Sequence, residues 1–262
     1  MNKVLMLGCA ACALAVAVFS PAAQAANLVV NGDFTVTPTL SWNSSYVFSL
    51  PLDMGPHTYL ASNYGWMGTG GSLNYVMTPG TQLYNNYTKS LNSTPASAPP
   101  GGGNIYAADA GSSYDQNVYL YQTLNGLKAG ASYTLNFYQA ATSYYNNTQD
   151  TAQWAVGFGG YLQNPAQSQT PLIGATTQYS QLMSLAGVSG GLTQWEKETM
   201  TFTATGTSEL LTFMAVGQGA PPFALLGDVS VTPTPLPGAL PLMGSALAGM
   251  GLLARRRRRK AS

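Results

Sequence analysis

Along much of the chain apolar and polar side chains alternate with a period of two, in short runs broken by glycine. In residues 131–141 Tyr133, Leu135 and Phe137 alternate with Thr134, Asn136 and Tyr138. In residues 192–204 Met200, Phe202 and Ala204 alternate with Thr199, Thr201 and Thr203. A period of two sends the two sets to opposite faces of a strand, so each run predicts a strand with one buried and one wet face. Residues 103–109, 116–124, 151–158, 209–216 and 224–232 read as strands too, with turns at Asn125-Gly126 and Ala129-Gly130.

The first half is less regular. Residues 27–34 read as a strand, a turn at Asn31-Gly32 and a return; residues 41–48 and, more weakly, 57–61 are further strands. From 64 to 103 glycine and proline interrupt every period, which predicts long loops between short strands. The one stretch with helical character inside the domain is 179–185, a turn or two. Ten to twelve short strands with turns between them predict an all-β antiparallel sandwich or barrel. Trp42, Trp154 and Trp195 lie within strands and are expected in the core. Trp66, among glycines, is expected to be an exposed aromatic.

The two ends differ from this domain. Residues 1–25 have Lys3, an apolar run from 4 to 19 and an Ala23-Gln24-Ala25 site, the pattern of an export signal cut between Ala25 and Ala26. That implies passage through the Sec machinery and signal peptidase. Residues 233–262 have Pro233, Pro235 and Pro237, then the uncharged 238–254, then Arg255, Arg256, Arg257, Arg258, Arg259 and Lys260. As a helix, residues 238–254 would reach roughly 25 Å against a hydrocarbon core of about 30 Å. The arginines would stay cytoplasmic, leaving the rest outside.

This tail resembles the PEP-CTERM sorting signal of exported proteins in Gram-negative, exopolysaccharide-producing bacteria. Pro235-Leu236-Pro237 matches its motif, with Leu236 where the family often has Glu. The resemblance implies an exosortase as partner, a transient inner-membrane anchor through the C-terminal helix, and delivery to the cell surface or a biofilm matrix. The domains expected are therefore 1–25, 26–232 and 233–262.

Removing both ends changes the charge. The whole chain is at +1, but the middle keeps only Lys89, Lys128 and Lys197 against all nine acids, near −6 (3 − 9), and has no arginine. A basic nucleic-acid footprint is absent from it. Both cysteines, Cys9 and Cys12, fall within the signal, so the middle has neither disulfides nor thiolate metal ligands.

The order of NLVVNGDF and then a tryptophan, GGNIYAAD, QNVYLYQTLNGLKAGASYTLNFY, WEKETMTFTATGTSELLTFMA and PPFALLGDVSV resembles the galactose-binding-like jelly roll of carbohydrate-binding modules. That resemblance implies a glycan ligand such as exopolysaccharide. Many of these jelly rolls hold a structural calcium, for which Asp228 would be a ligand, but Thr35 stands where an acid is usual. With one matched carboxylate the reading from sequence is no cofactor, and Asp228 is read as a turn or hydrogen-bonding residue. Calcium wants six to eight oxygens, generally with more than one carboxylate.

Sugar faces need aromatic platforms with amides and hydroxyls at the rim. Trp66, Tyr84, Tyr87, Tyr144 and Tyr145 are the candidates, interleaved with Asn85, Asn86, Asn146 and Asn147. Tyr114, Tyr119 and Tyr121 extend the set. For catalysis the inventory is thin: one histidine, His57, and no nucleophile elbow. The carboxylate pairs Asp109 with Asp115 and Glu196 with Glu198 are the route to a secreted glycoside hydrolase. The last two share a strand face expected to be solvated. The reading from sequence is a non-enzymatic structural, adhesive or glycan-binding domain.

Overall fold

The computed structural model describes residues 26–36, 52–53, 65–69, 74–80, 84–85, 90–91, 96–111, 119–143, 149–159, 176–219 and 222–234. Fourteen strands are assigned there: β1 (Leu52–Asp53), β2 (Met67–Thr69), β3 (Asn74–Met77), β4 (Tyr84–Asn85), β5 (Ser90–Leu91), β6 (Ile105–Asp109), β7 (Tyr119–Asn125), β8 (Ser132–Ser143), β9 (Thr151–Phe158), β10 (Thr176–Tyr179), β11 (Met183–Ser184), β12 (Glu196–Thr203), β13 (Ser208–Gln218) and β14 (Pro222–Pro233). They form two six-stranded antiparallel sheets and the small pair β4–β5. Sheet A runs β1-β3-β6-β14-β8-β12, and sheet B runs β10-β9-β13-β7-β2 with β11 also on β9. The all-β antiparallel expectation is met. Among the described residues one 3-10 turn, Ser189–Gly191, is the only helix, and none is long and apolar enough to cross a membrane.

The alternation read from sequence sets the layers. Tyr133, Leu135 and Phe137 of β8, Trp154, Val156 and Phe158 of β9, Met200 and Phe202 of β12 and Leu211 and Phe213 of β13 meet in one core between the sheets. Thr199, Thr201 and Thr203 face water. Trp154 is the hub: its ring lies 6.0 Å from those of Tyr106 and Phe213, and its Nε1 donates to the Leu225 carbonyl at 3.2 Å. A smaller cluster (Met77, Ala96, Ile105, Ala107, Ala140, Phe223, Leu225) covers part of the outer face of sheet A, with Leu192 and Trp195 against it.

Two readings are corrected. Residues 179–185 form the end of β10 and the short β11, not helical turns. Their partner is β9: Ser180 N donates to the Trp154 carbonyl and Trp154 N to Ser180 Oγ, both at 2.9 Å. Residues 26–30 are not a ladder strand, because much of their bonding goes to side chains. Val29 N donates to Asn27 Oδ1, and Val30 N and O are both taken by the Gln122 amide. The turn after them is tight: Asn31 has φ +53°, and a Cβ on Gly32 would sit 1.9 Å from the Val229 carbonyl oxygen. The strand expectations at 41–48 and 57–61 lie outside the described residues.

Candidate functional site

Trp66 is not exposed. It is 1 % accessible, with its ring 5.6 Å from Phe34 and its Nε1 donating to the Asn31 carbonyl at 2.9 Å. The N-terminal turn folds over it, so it is a core residue rather than a sugar platform. Tyr84 opens β4, paired with Leu91. Tyr87, Tyr144 and Tyr145 lie outside the described residues, as do Ala25, Pro235, Leu236, Pro237 and Arg255 to Arg259; Ala26 is exposed.

Asp228 sits at φ +50° in the bulge of β14 between Gly227 and Ser230. Its carboxylate lies against Gly101, where a Cβ would come within 1.9 Å of Oδ2. Asp33, the acid of the N-terminal turn, is bonded to Thr35, whose Oγ1 donates to both carboxylate oxygens at 3.0 Å. No group of three or more acidic, His or Cys side chains that would hold a metal gathers among the described residues. The donor set does not fit calcium, and no function is routed through one.

The carboxylate pairs separate. Asp109 is 1 % exposed and accepts from Gly111 N at 2.7 Å; Asp115 lies outside the described residues. Glu196 and Glu198 do share a face of β12, but it is the one that turns toward sheet B at the rim of the core. There Glu198 is half-buried and accepts from the Gln139 amide at 2.9 Å and from Gln181 N at 3.1 Å.

The candidate surface for a ligand is the outer side of sheet B, where strand parity places a different set of side chains, of which Ala155, Gly157 and Thr212 are buried and Met214 is half-buried. Inward positions of β9 and β13 carry Trp154, Val156, Leu211 and Phe213; outward positions carry Ala155, Gly157, Thr212 and Met214. Register places Thr177, Gly157, Thr212 and Tyr121 side by side, and next to that row Tyr179, Ala155 and Met214. The floor across β9 and β13 is thus of Ala155, Gly157, Thr212 and Met214, flanked by Tyr179 of β10 and Tyr121 of β7. At about 4.8 Å per strand, these tyrosines stand about 15 Å apart.

Tyr179 is 62 % exposed, and Tyr121 is half-buried. Thr212 is fully buried, and among the described residues its hydroxyl has no hydrogen-bond partner. An unmade hydrogen bond on a buried hydroxyl costs of order 1–3 kcal/mol. We expect Thr212→Val, similar in shape without that hydroxyl, to raise the urea unfolding free energy by about 1 kcal/mol. An unchanged or lowered midpoint would show that the hydroxyl is satisfied.

Sequence reasoning named Tyr121 but missed Tyr179 and Thr212. The available signal was in residues 151–158, where the outward positions change from Thr151 and Gln153 to Ala155 and Gly157.

No family profile matches the chain, and no curated protein matches it. Similar solved structures include a CBM4 (17% identity, 50% of this chain and 71% of that one, TM-score 0.33). Another is TmCBM61 in complex with β-1,4-galactotriose (12%, 64% and 88%, 0.35). A third is the K1 cleaved adhesin domain of Lys-gingipain from Porphyromonas gingivalis W83 (13%, 65% and 92%, 0.38). At these TM-scores the likenesses carry no argument about function.

Proposed function

We propose that this is an exported, non-catalytic β-sandwich that contacts neutral polysaccharide through the outer face of sheet B. Its delivery runs through the N-terminal signal and the exosortase-processed tail, to the cell surface or extracellular matrix of a Gram-negative bacterium, where it is structural or adhesive. The observation that carries the binding half is the exposed Tyr179 of β10 facing the half-buried Tyr121 of β7 across the outer side of sheet B. Aromatic rings offer apolar faces with a wet hydroxyl, which suits the apolar face and rim hydroxyls of a sugar ring. The net charge near −6 between the targeting ends favours an uncharged ligand over an anionic one.

The test uses protein recovered from its host, applied to columns of swollen cellulose, xylan and agarose. Retention without release of reducing ends is expected, with at least a tenfold loss in Tyr179→Ala, of the order that one aromatic contact supplies. Failure of all three columns to retain it would overturn the binding half, and release of reducing ends the non-catalytic half. Intact mass reads the delivery half: a species from Ala26 to a residue between Thr234 and Pro237 is expected. A membrane-held species still carrying Arg255 to Arg259 would overturn it.

A further inference from the structure

The outer face of sheet A is divided in two. Toward the start of β14 it is apolar and covered: the Met77–Phe223–Leu225 cluster lies under Ala96, Leu192 and Trp195, and the Trp195 Nε1 donates to the Ser97 carbonyl at 3.0 Å. The change comes at Tyr138 and Gly227, where Pro99 packs so closely that a Cβ on Gly227 would lie 2.3 Å from its Cγ. Beyond that row no cluster of apolar side chains continues among the described residues. Register aligns Thr199, Asn136 and Ser230 across β12, β8 and β14, then Thr201, Thr134 and Thr232.

These outward residues make a lattice of hydroxyls and one amide. Neighbours are about 4.8 Å apart across strands and about 6.8 Å along them. They are exposed on β12 and half-buried on the other two strands. Part of the lattice is already oriented: Thr199 Oγ1 donates to Asn136 Oδ1, and the Thr134 and Thr234 hydroxyls share a bond, both at 2.9 Å. Among the described residues Lys197, beside Tyr138, is the one charge pointing out of these rows. Glu196 and Glu198 project from the opposite face of β12, and the Asp228 carboxylate lies against Gly101.

We infer that this half of sheet A is a second polysaccharide-contact face, so that one molecule bridges two neutral glycan chains. The inference rests on the glycan-binding reading of sheet B and deepens it. What selects the occupant is charge. An anionic membrane or nucleic acid would find a single lysine, and an apolar partner would find no apolar patch. An uncharged polyhydroxylated chain finds donors and acceptors at every position, some held in place in advance. The outer faces of two packed sheets point in opposite directions with the core between them, so a chain lying on one cannot lie on the other. Two weak faces on one rigid body convert binding into cross-linking.

The experiment compares retention with cross-linking, using host-recovered protein and soluble neutral xylan and galactan. The wild type is expected to raise the low-shear viscosity of whichever glycan it binds. The double variant Thr199→Glu with Thr203→Glu, changed only at exposed positions of β12, should stay within about threefold of wild type on the column yet lose the viscosity rise, because one binding face remains. Amide exchange on the unmutated protein gives a reading free of folding artefacts. Adding glycan should slow exchange in β8 and β12 as well as in β9 and β13. Cross-linking undiminished in the double variant, or slowed exchange confined to sheet B, would overturn the second face and leave the proposed function standing. A wild type held by no glycan would end both.

Discussion

Trp154→Ala should lower the unfolding free energy by about 3–5 kcal/mol, the range for truncating a large buried aromatic. The indole is wholly buried, edge-on to Phe213 at 90° and tilted on Tyr106, so its loss opens a cavity between the sheets rather than at their margin. The Leu225 carbonyl on β14 also loses its indole donor. Urea titration followed by far-ultraviolet circular dichroism is the measurement. The midpoint should fall with little change in slope, since the same surface is exposed on unfolding. Trp195→Ala is the control: that ring is half-buried on the outer face of sheet A, and its removal should cost clearly less. Equal losses would mean that the main core is not centred on Trp154.

Gln122→Leu is expected to cost about 1–3 kcal/mol through polar groups left unpaired rather than through volume, which hardly changes. Gln122 is 4 % exposed on the core-facing side of β7. Its Oε1 accepts from Val30 N at 2.7 Å, and its Nε2 donates to the carbonyls of Val30 at 2.9 Å and Gly65 at 2.8 Å. One amide therefore ties the first described segment and the approach to β2 onto sheet B. Leucine has no group for any of the three. Besides the lower stability, amide exchange at Val30 should accelerate while exchange in the middle of β8 stays slow. Unchanged exchange at Val30 would mean the segment is held by something other than this clamp.

The strands of the second half were legible because their alternation is local: the residues 131–141 already state which face of β8 is wet. What failed depends on contacts far along the chain. Trp66 stands between glycines and looks like a loop tip, and it is Asn31 and Phe34, more than thirty residues earlier, and Phe213, far later, that make it a core residue. The stretch at 179–185 has apolar residues at near-helical spacing, but the backbone partners that settle its conformation belong to β9.

The sheet B face was half visible. Its tyrosines are plain in the sequence, but the floor between them is a matter of register, and register is fixed only when β9, β13 and β7 pair. Asp228 shows the same dependence on pairing. Sequence order matched Asp228 to a motif, whereas the bulge turns its carboxylate onto Gly101.

The N-terminal segment also determines how the domain can be suspended. Leu28 N donates to the Val231 carbonyl, Val231 N to Asn27 Oδ1, and Val229 N to the Gly32 carbonyl, so the chain's entry runs antiparallel beside its exit along β14. Ala26 and Thr234 consequently leave from one corner. Whatever is joined before the first and after the second can be gripped at a single point, and the body hangs from it as a pendant. Both broad outer faces then stay clear of the attachment, and cutting either tether removes no strand from the sandwich.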